Sequence, residues 1–110
     1  MLAVAERMRA IDPSCQVRCA FLELMQPDLV TAAQSCVSDG CTEIVVVPMF
    51  LGAGRHVRHD LPALIADLNR QLAGVTVRLQ TLVGDDPRVV DVLHRRAPEG
   101  ARRPDPAQDP

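Results

Sequence analysis

The chain has 110 residues, 47% hydrophobic, 2% aromatic and 24% charged, with a formal net charge of -2. That length bounds it at a single domain, and the apolar share excludes global disorder. The absence of Trp and Tyr removes the stacking platforms a single-strand nucleic-acid binder needs, and the charge balance removes the basic footprint of a duplex binder.

A helix is predicted first, because Met1, Val4, Ala5, Met8 and Ile11 share one helical face and Asp12-Pro13 ends the run. Residues 17–24 read as a strand. Pro27 falls where a first-turn proline is tolerated, Leu29, Ala33, Cys36 and Val37 form the buried stripe of a second helix, and Gly40 stops it. The run Ile44-Val45-Val46-Val47, within a strand over 43–51, predicts burial on both faces and so a central parallel strand. A loop over 52–59 follows. Asp60 then reads as an N-cap with Pro62 in the first turn, and Leu61, Leu64, Ile65, Leu68 and Leu72 make the apolar stripe. Beyond Gly74, Val75, Val77 and Leu79 alternate with Thr76, Arg78 and Gln80, as in a half-exposed edge strand. Gly84-Asp85-Asp86-Pro87 turns the chain into a last helix, with Asp86 as cap and Val89, Val90 and Leu93 facing inward. From residue 98 to 110 four prolines sit among Gly, Arg and Asp with no apolar period, so the domain is expected over 1–97 and a disordered tail over 98–110.

The 1–5 stretch is too short and lacks the basic flank of a signal peptide, and the apolar block at 44–51 is far short of a membrane span. A cytoplasmic protein without membrane or nucleic-acid partners is expected. Cys15, Cys19, Cys36 and Cys41 contain no Cys-x-x-Cys pair and match no zinc module, so they read as reduced, partly buried thiols.

Strands alternating with helices imply an α/β fold, a parallel sheet flanked by helices, and ligands bind beyond the carboxyl ends of such strands. Two segments meet that edge with polar residues: 21–24 and 52–60. His56 and His59 carry imidazoles, the commonest protein ligand for a borderline divalent metal, although both also fit a solvated loop. Arg55 and Arg58 flank them with forked donors for carboxylates. Glu23 suits a general base or second ligand, and equally a solvated carboxylate where the strand leaves the sheet. His94, beside Arg95 and Arg96, reads as an exposed helix end. Gly52-Ala53-Gly54 lacks the third glycine of a dinucleotide fingerprint and the Gly-Lys-Ser/Thr of a P-loop.

The stretch Ile44 to Leu51 ending in Pro48-Met49-Phe50-Leu51, then Gly54-Arg55-His56-Val57-Arg58-His59-Asp60-Leu61-Pro62, closely resembles the short sirohydrochlorin chelatases of the CbiX/SirB type. Ala20-Phe21-Leu22-Glu23-Leu24 with Pro27 matches a second motif of that family. The resemblance implies a chelatase-like, flavodoxin-like sheet and ATP-independent insertion of Co2+, Fe2+ or Ni2+, as substrate, into sirohydrochlorin or a related tetrapyrrole. It implies a homodimer, His56 as the metal-binding histidine and catalytic residue, and Glu23 as the acidic residue of the cleft. Arg55 and Arg58 would then meet substrate carboxylates, and the base that takes the displaced pyrrole protons would be Glu23 or a histidine. The family's first strand, ending in His-Gly-Ser-Arg, is missing from the chain. The expectation is therefore a late start, an inactive remnant or a rearranged sheet, with little activity for the chain as it stands. A non-catalytic carrier of metal or tetrapyrrole is the alternative.

Overall fold

A computed structural model of the protein describes residues 2–22 and 25–96. Glu23 and the expected tail over 98–110 lie outside the described residues. The regular elements are α1 (Leu2–Ile11), α2 (Leu29–Ser38), β1 (Glu43–Val46), α3 (Arg55–Gln71), β2 (Thr76–Leu79) and α4 (Pro87–Arg96), with a 3-10 turn at Val83–Asp85 before α4. β1 and β2 form a two-stranded sheet. The Thr76 N–H donates to Thr42 O (3.0 Å) and the Gln80 N–H to Val46 O (2.9 Å), so four residues along one strand match four along the other in the same direction. The pair is parallel, and α3 is the crossover that a parallel connection requires. Adjacent pairing of these two strands agrees with the α/β expectation.

The chain divides into two compact units, Met1–Ile44 with Ala66–Val77, and Val45–Ile65 with Arg78–Pro110. In the first unit α2 starts as its cap dictates. Asp28 accepts the Thr31 N–H (2.8 Å), and its hydrogen bonding to Thr31 holds the carboxyl below its ordinary value. Pro27 therefore precedes the cap and does not enter the first turn, and the Gln26–Pro27 peptide is cis. Ala32 and Ala33 are buried, and Gly40 ends the helix with φ +90° while its N–H reaches Val37 O (2.9 Å).

Two further expectations fail in this unit. The predicted stripe of α1 is largely uncovered: Ala5 is buried, but Met8 is 42% and Ile11 70% exposed. The 17–24 segment forms no strand among its described residues. A strand exists only by pairing, and here the backbone groups bond elsewhere: Val17 O accepts from the Arg9 guanidinium, and Phe21 N–H donates to Pro27 O (3.0 Å) within one isolated bridge to Asp28.

The free edge of β2 is sealed by a side chain. Asn69 on α3 donates from Nδ2 to Val77 O (2.9 Å) and accepts the Val77 N–H at Oδ1 (2.8 Å), so one amide replaces the neighbouring strand that an edge lacks. Val77 itself is buried, and Leu68, one residue before Asn69, is only 1% exposed. The predicted edge strand and the α3 stripe thus hold, with Leu61, Ile65 and Leu68 buried.

In the second unit Val45 (43%) and Val47 (46%) remain exposed, so the valine run is not covered on both faces as its sequence predicts. The described residues supply cover to one face of β1, whose burial alternates. Asp86 caps α4 as expected, accepting the Arg88 N–H (2.9 Å). Hydrogen bonds from the Arg88 side chain, then its backbone, lower the Asp86 carboxyl to about 2. The inward face predicted for α4 is not buried: Val90 and Leu93 are each 51% exposed.

Leu68→Ala should lower unfolding free energy by roughly 2–5 kcal/mol, measured by urea denaturation. Leu93→Ala, at half-exposed Leu93, should stay within about 0.5 kcal/mol. Equal losses at the two positions would contradict this packing.

Candidate functional site at the carboxyl edge of the sheet

Past the last strand residues the two chain segments of the second unit stay paired. The Val83 N–H donates to Pro48 O (3.0 Å) and the Gly84 N–H to Phe50 O (2.9 Å). A Cβ on Gly84 would overlap the backbone of Leu51, so this close approach requires glycine. Pro48 is buried, and Leu82 at the facing position is 8% exposed. The base of the site is therefore a backbone-to-backbone junction on a small apolar floor.

From this junction the chain runs through Gly52-Ala53-Gly54 into α3. Here the structure corrects the sequence reading. The Arg58 N–H donates to Gly54 O (3.2 Å), and the helix begins at Arg55, so His56, Arg58 and His59 stand in its first turns and not in a loop. Asp60 is inside the helix and caps nothing. Pro62 is also inside it, where its missing N–H leaves the Arg58 carbonyl without the usual intrahelical donor.

This helix start is electrostatically unusual. A helix N-terminus carries partial positive charge and favours acidic neighbours, yet the first turn of α3 holds no acidic residue. It presents the guanidinium cations of Arg55 and Arg58, with the His56 imidazole between them. Cations there oppose the peptide dipoles, and local conflicts of this kind are expected at functional or strained positions. Arg55, His56 and His59 are exposed and have no polar partner among the described residues. Gly52 and Gly54 would meet nothing within 4 Å if each carried a Cβ, so internal packing does not demand glycine at either. Their surface is open for a flat molecule to approach the backbone.

Arg58 is different. Its Nη1 donates to Asp85 Oδ2 (3.2 Å), its Nη2 to Asp85 Oδ1 (3.5 Å), and its Nε to Ala53 O (3.3 Å). The two side chains are 52% and 44% exposed, a surface pair worth about 0–1 kcal/mol to stability. Asp85 was not a candidate from sequence, where Asp85-Asp86 reads as a turn. Only the need for glycine at Gly84 signals that this turn is packed against the site loop. A cleft of about 230 Å³ lies between these segments, lined by Pro48, Val57, Arg58, Leu61, Leu82 and Asp85, and it is smaller than ordinary ligand pockets.

Among the described residues no group of three or more His, Cys, Asp or Glu could hold a metal ion. The four cysteines are free thiols, Cys19, Cys36 and Cys41 partly buried and Cys15 exposed, with Cys36 Sγ accepting from Arg18 Nε (3.1 Å). His94 is exposed in the last turn of α4. No helix among the described residues is long and apolar enough to cross a membrane.

The family model of CbiX matches residues 1–100. The chain belongs to the CbiX family. Among relatives of this CbiX-family chain, the sirohydrochlorin ferrochelatase of Bacillus subtilis is 34% identical over 77 residues, covering 70% of this chain and 30% of that protein. The sirohydrochlorin cobaltochelatase of Sulfurisphaera tokodaii is 31% identical over 86 residues, covering 78% and 68%. The chain thus spans under a third of the first and about two thirds of the second. A CbiX protein from Marinobacter aquaeolei superposes with a TM-score of 0.67 at 32% identity, over 86% of this chain and 77% of that one. The structure of SirB from Bacillus subtilis with Fe3+ superposes with a TM-score of 0.70 at 31% identity, over 94% of this chain and 40% of SirB. These neighbours bear out the chelatase-like α/β fold class.

Gly84→Ala should cost roughly 1–3 kcal/mol or more by forcing the junction apart, whereas Gly52→Ala should be close to neutral. Thermal unfolding of both variants checks the contrast, and a neutral Gly84→Ala would contradict the close approach.

Proposed function

We propose that this CbiX-family chain inserts a divalent metal, Co2+, Fe2+ or Ni2+, into sirohydrochlorin or a closely related tetrapyrrole. The observation that carries the proposal is His56: an exposed imidazole without a polar partner among the described residues, at the carboxyl edge of a parallel sheet, beside glycines with open space above them. The names of the ferrochelatase and cobaltochelatase relatives support the reaction, and a further SirB structure is described in complex with cobalt.

The chemistry follows from the donor set. A neutral imidazole offers one lone pair to a metal that arrives largely hydrated, and it gives that metal up readily because few other ligands hold it. Metal–nitrogen bonds to the macrocycle form as two pyrrole N–H protons leave, so a base must accept them. Glu23 is the proposed acceptor. Arg55, cationic and unpaired among the described residues, is the proposed partner of a substrate carboxylate, whereas Arg58, expected from the sequence in the same role, is held by Asp85. No nucleotide enters this scheme. The proposed setting is the cytoplasm and the proposed assembly a homodimer.

His56→Ala should lower the rate of metal insertion at least about tenfold, because even outer residues of metal sites are worth 10–100-fold. Folding should be preserved, since the residue is exposed. His94→Ala should change nothing comparable. The assay is the visible-absorption change on insertion, with the spontaneous rate at equal metal subtracted. Equal rates for His56→Ala and the parent would refute the assignment. A parent that binds both metal and tetrapyrrole without joining them would establish a carrier.

A further inference from the structure

Arg58 does not stand open beside His56. Its backbone N–H binds Gly54 O (3.2 Å), its Nε binds Ala53 O (3.3 Å), and its two terminal nitrogens bind the two oxygens of Asp85 at 3.2 and 3.5 Å. One residue therefore joins the glycine loop, the first turn of α3 and the 3-10 turn. Asp85 is in turn held on a fixed base. Its own N–H donates to Leu82 O (2.9 Å), and its neighbour Gly84 is bonded to Phe50 O (2.9 Å) with no room for a side chain against Leu51. The first turn of α3 has no acidic residue of its own, and Asp85 supplies that negative charge from another segment.

We propose that Asp85 is a positioning residue: acting through Arg58, it fixes the first turn of α3 and so the place from which His56 delivers its metal. The proposal rests on the metal-insertion reading of His56. It has a consequence for specificity, because Arg58 is then occupied by the protein and Arg55 alone is left to meet a substrate carboxylate. The half-exposed pair adds little to folding, so its expected effect is on rate and not on stability.

The test compares the full chain with Asp85→Asn, Arg58→Gln and the double variant, by cobalt insertion into sirohydrochlorin, thermal midpoint and amide hydrogen exchange at Arg58. Each single variant should lose about tenfold in kcat, keep its KM for the tetrapyrrole and its thermal midpoint, and exchange the backbone amide at position 58 about fivefold faster. The double variant should be no slower than the slower single one, since both changes break one contact. An unchanged kcat in Asp85→Asn overturns the proposal. A raised KM with unchanged kcat in Arg58→Gln also overturns it, because Arg58 would then bind substrate directly. If the unaltered chain inserts no metal, the functional reading fails separately. The exchange measurement still decides the positioning claim: faster exchange in Asp85→Asn sustains it, and unchanged exchange overturns it.

Discussion

The candidate site depends on one close approach of backbone to backbone. Where β1 and β2 end, the chain at 48–51 stays bonded to the chain at 82–86, and Gly84 lies so near Leu51 that no side chain fits between them. Everything that gives the site its form follows from this junction. It sets where the Gly52–Gly54 loop leaves the sheet, and so where α3 begins. It also carries Asp85 to the Arg58 guanidinium. Backbone hydrogen bonds fix direction as well as distance, so a loop held this way gives the neighbouring helix a defined start.

The first turn of α3 shows what that rigidity is used for. Cations at a helix N-terminus work against the peptide dipoles, and the turn offers Arg55 and Arg58 with no acid among them. Asp85 offsets part of this cost from outside the helix. The arrangement keeps His56 exposed and uncommitted while its neighbour Arg58 is tied down. On the proposed function, a sparsely ligated and accessible imidazole suits the passing on of a metal better than a closed cage, which would retain the ion.

Much of this was legible in the sequence, and the failures share a cause. The edge strand at 76–79, the Asp86 cap and the stripe through Leu61, Ile65 and Leu68 each depend on local spacing, and each is present. The motif around His56 gave the family. What local pattern cannot supply is pairing and cover. The 17–24 segment reads as a strand but has no ladder among the described residues, and Val45, Met8 and Leu93 read as buried but are exposed, because burial depends on what else packs there. The start of α3 was missed because Asp60-Leu61-Pro62 looks like a cap and first turn, while the actual first bond uses the carbonyl of Gly54. Asp85 was missed because its partner is 27 residues away.

The central claim is that His56 is the residue through which this chain meets a divalent metal, and paramagnetic Co2+ reads it directly. The imidazole signals of His56, His59 and His94 are followed by nuclear magnetic resonance as Co2+ is added to the chain without tetrapyrrole. The account predicts that His56 shifts or broadens at the lowest metal concentration, well before His94. Responses from His94 at the same concentration, or a His56 signal untouched while metal binds elsewhere, would contradict it.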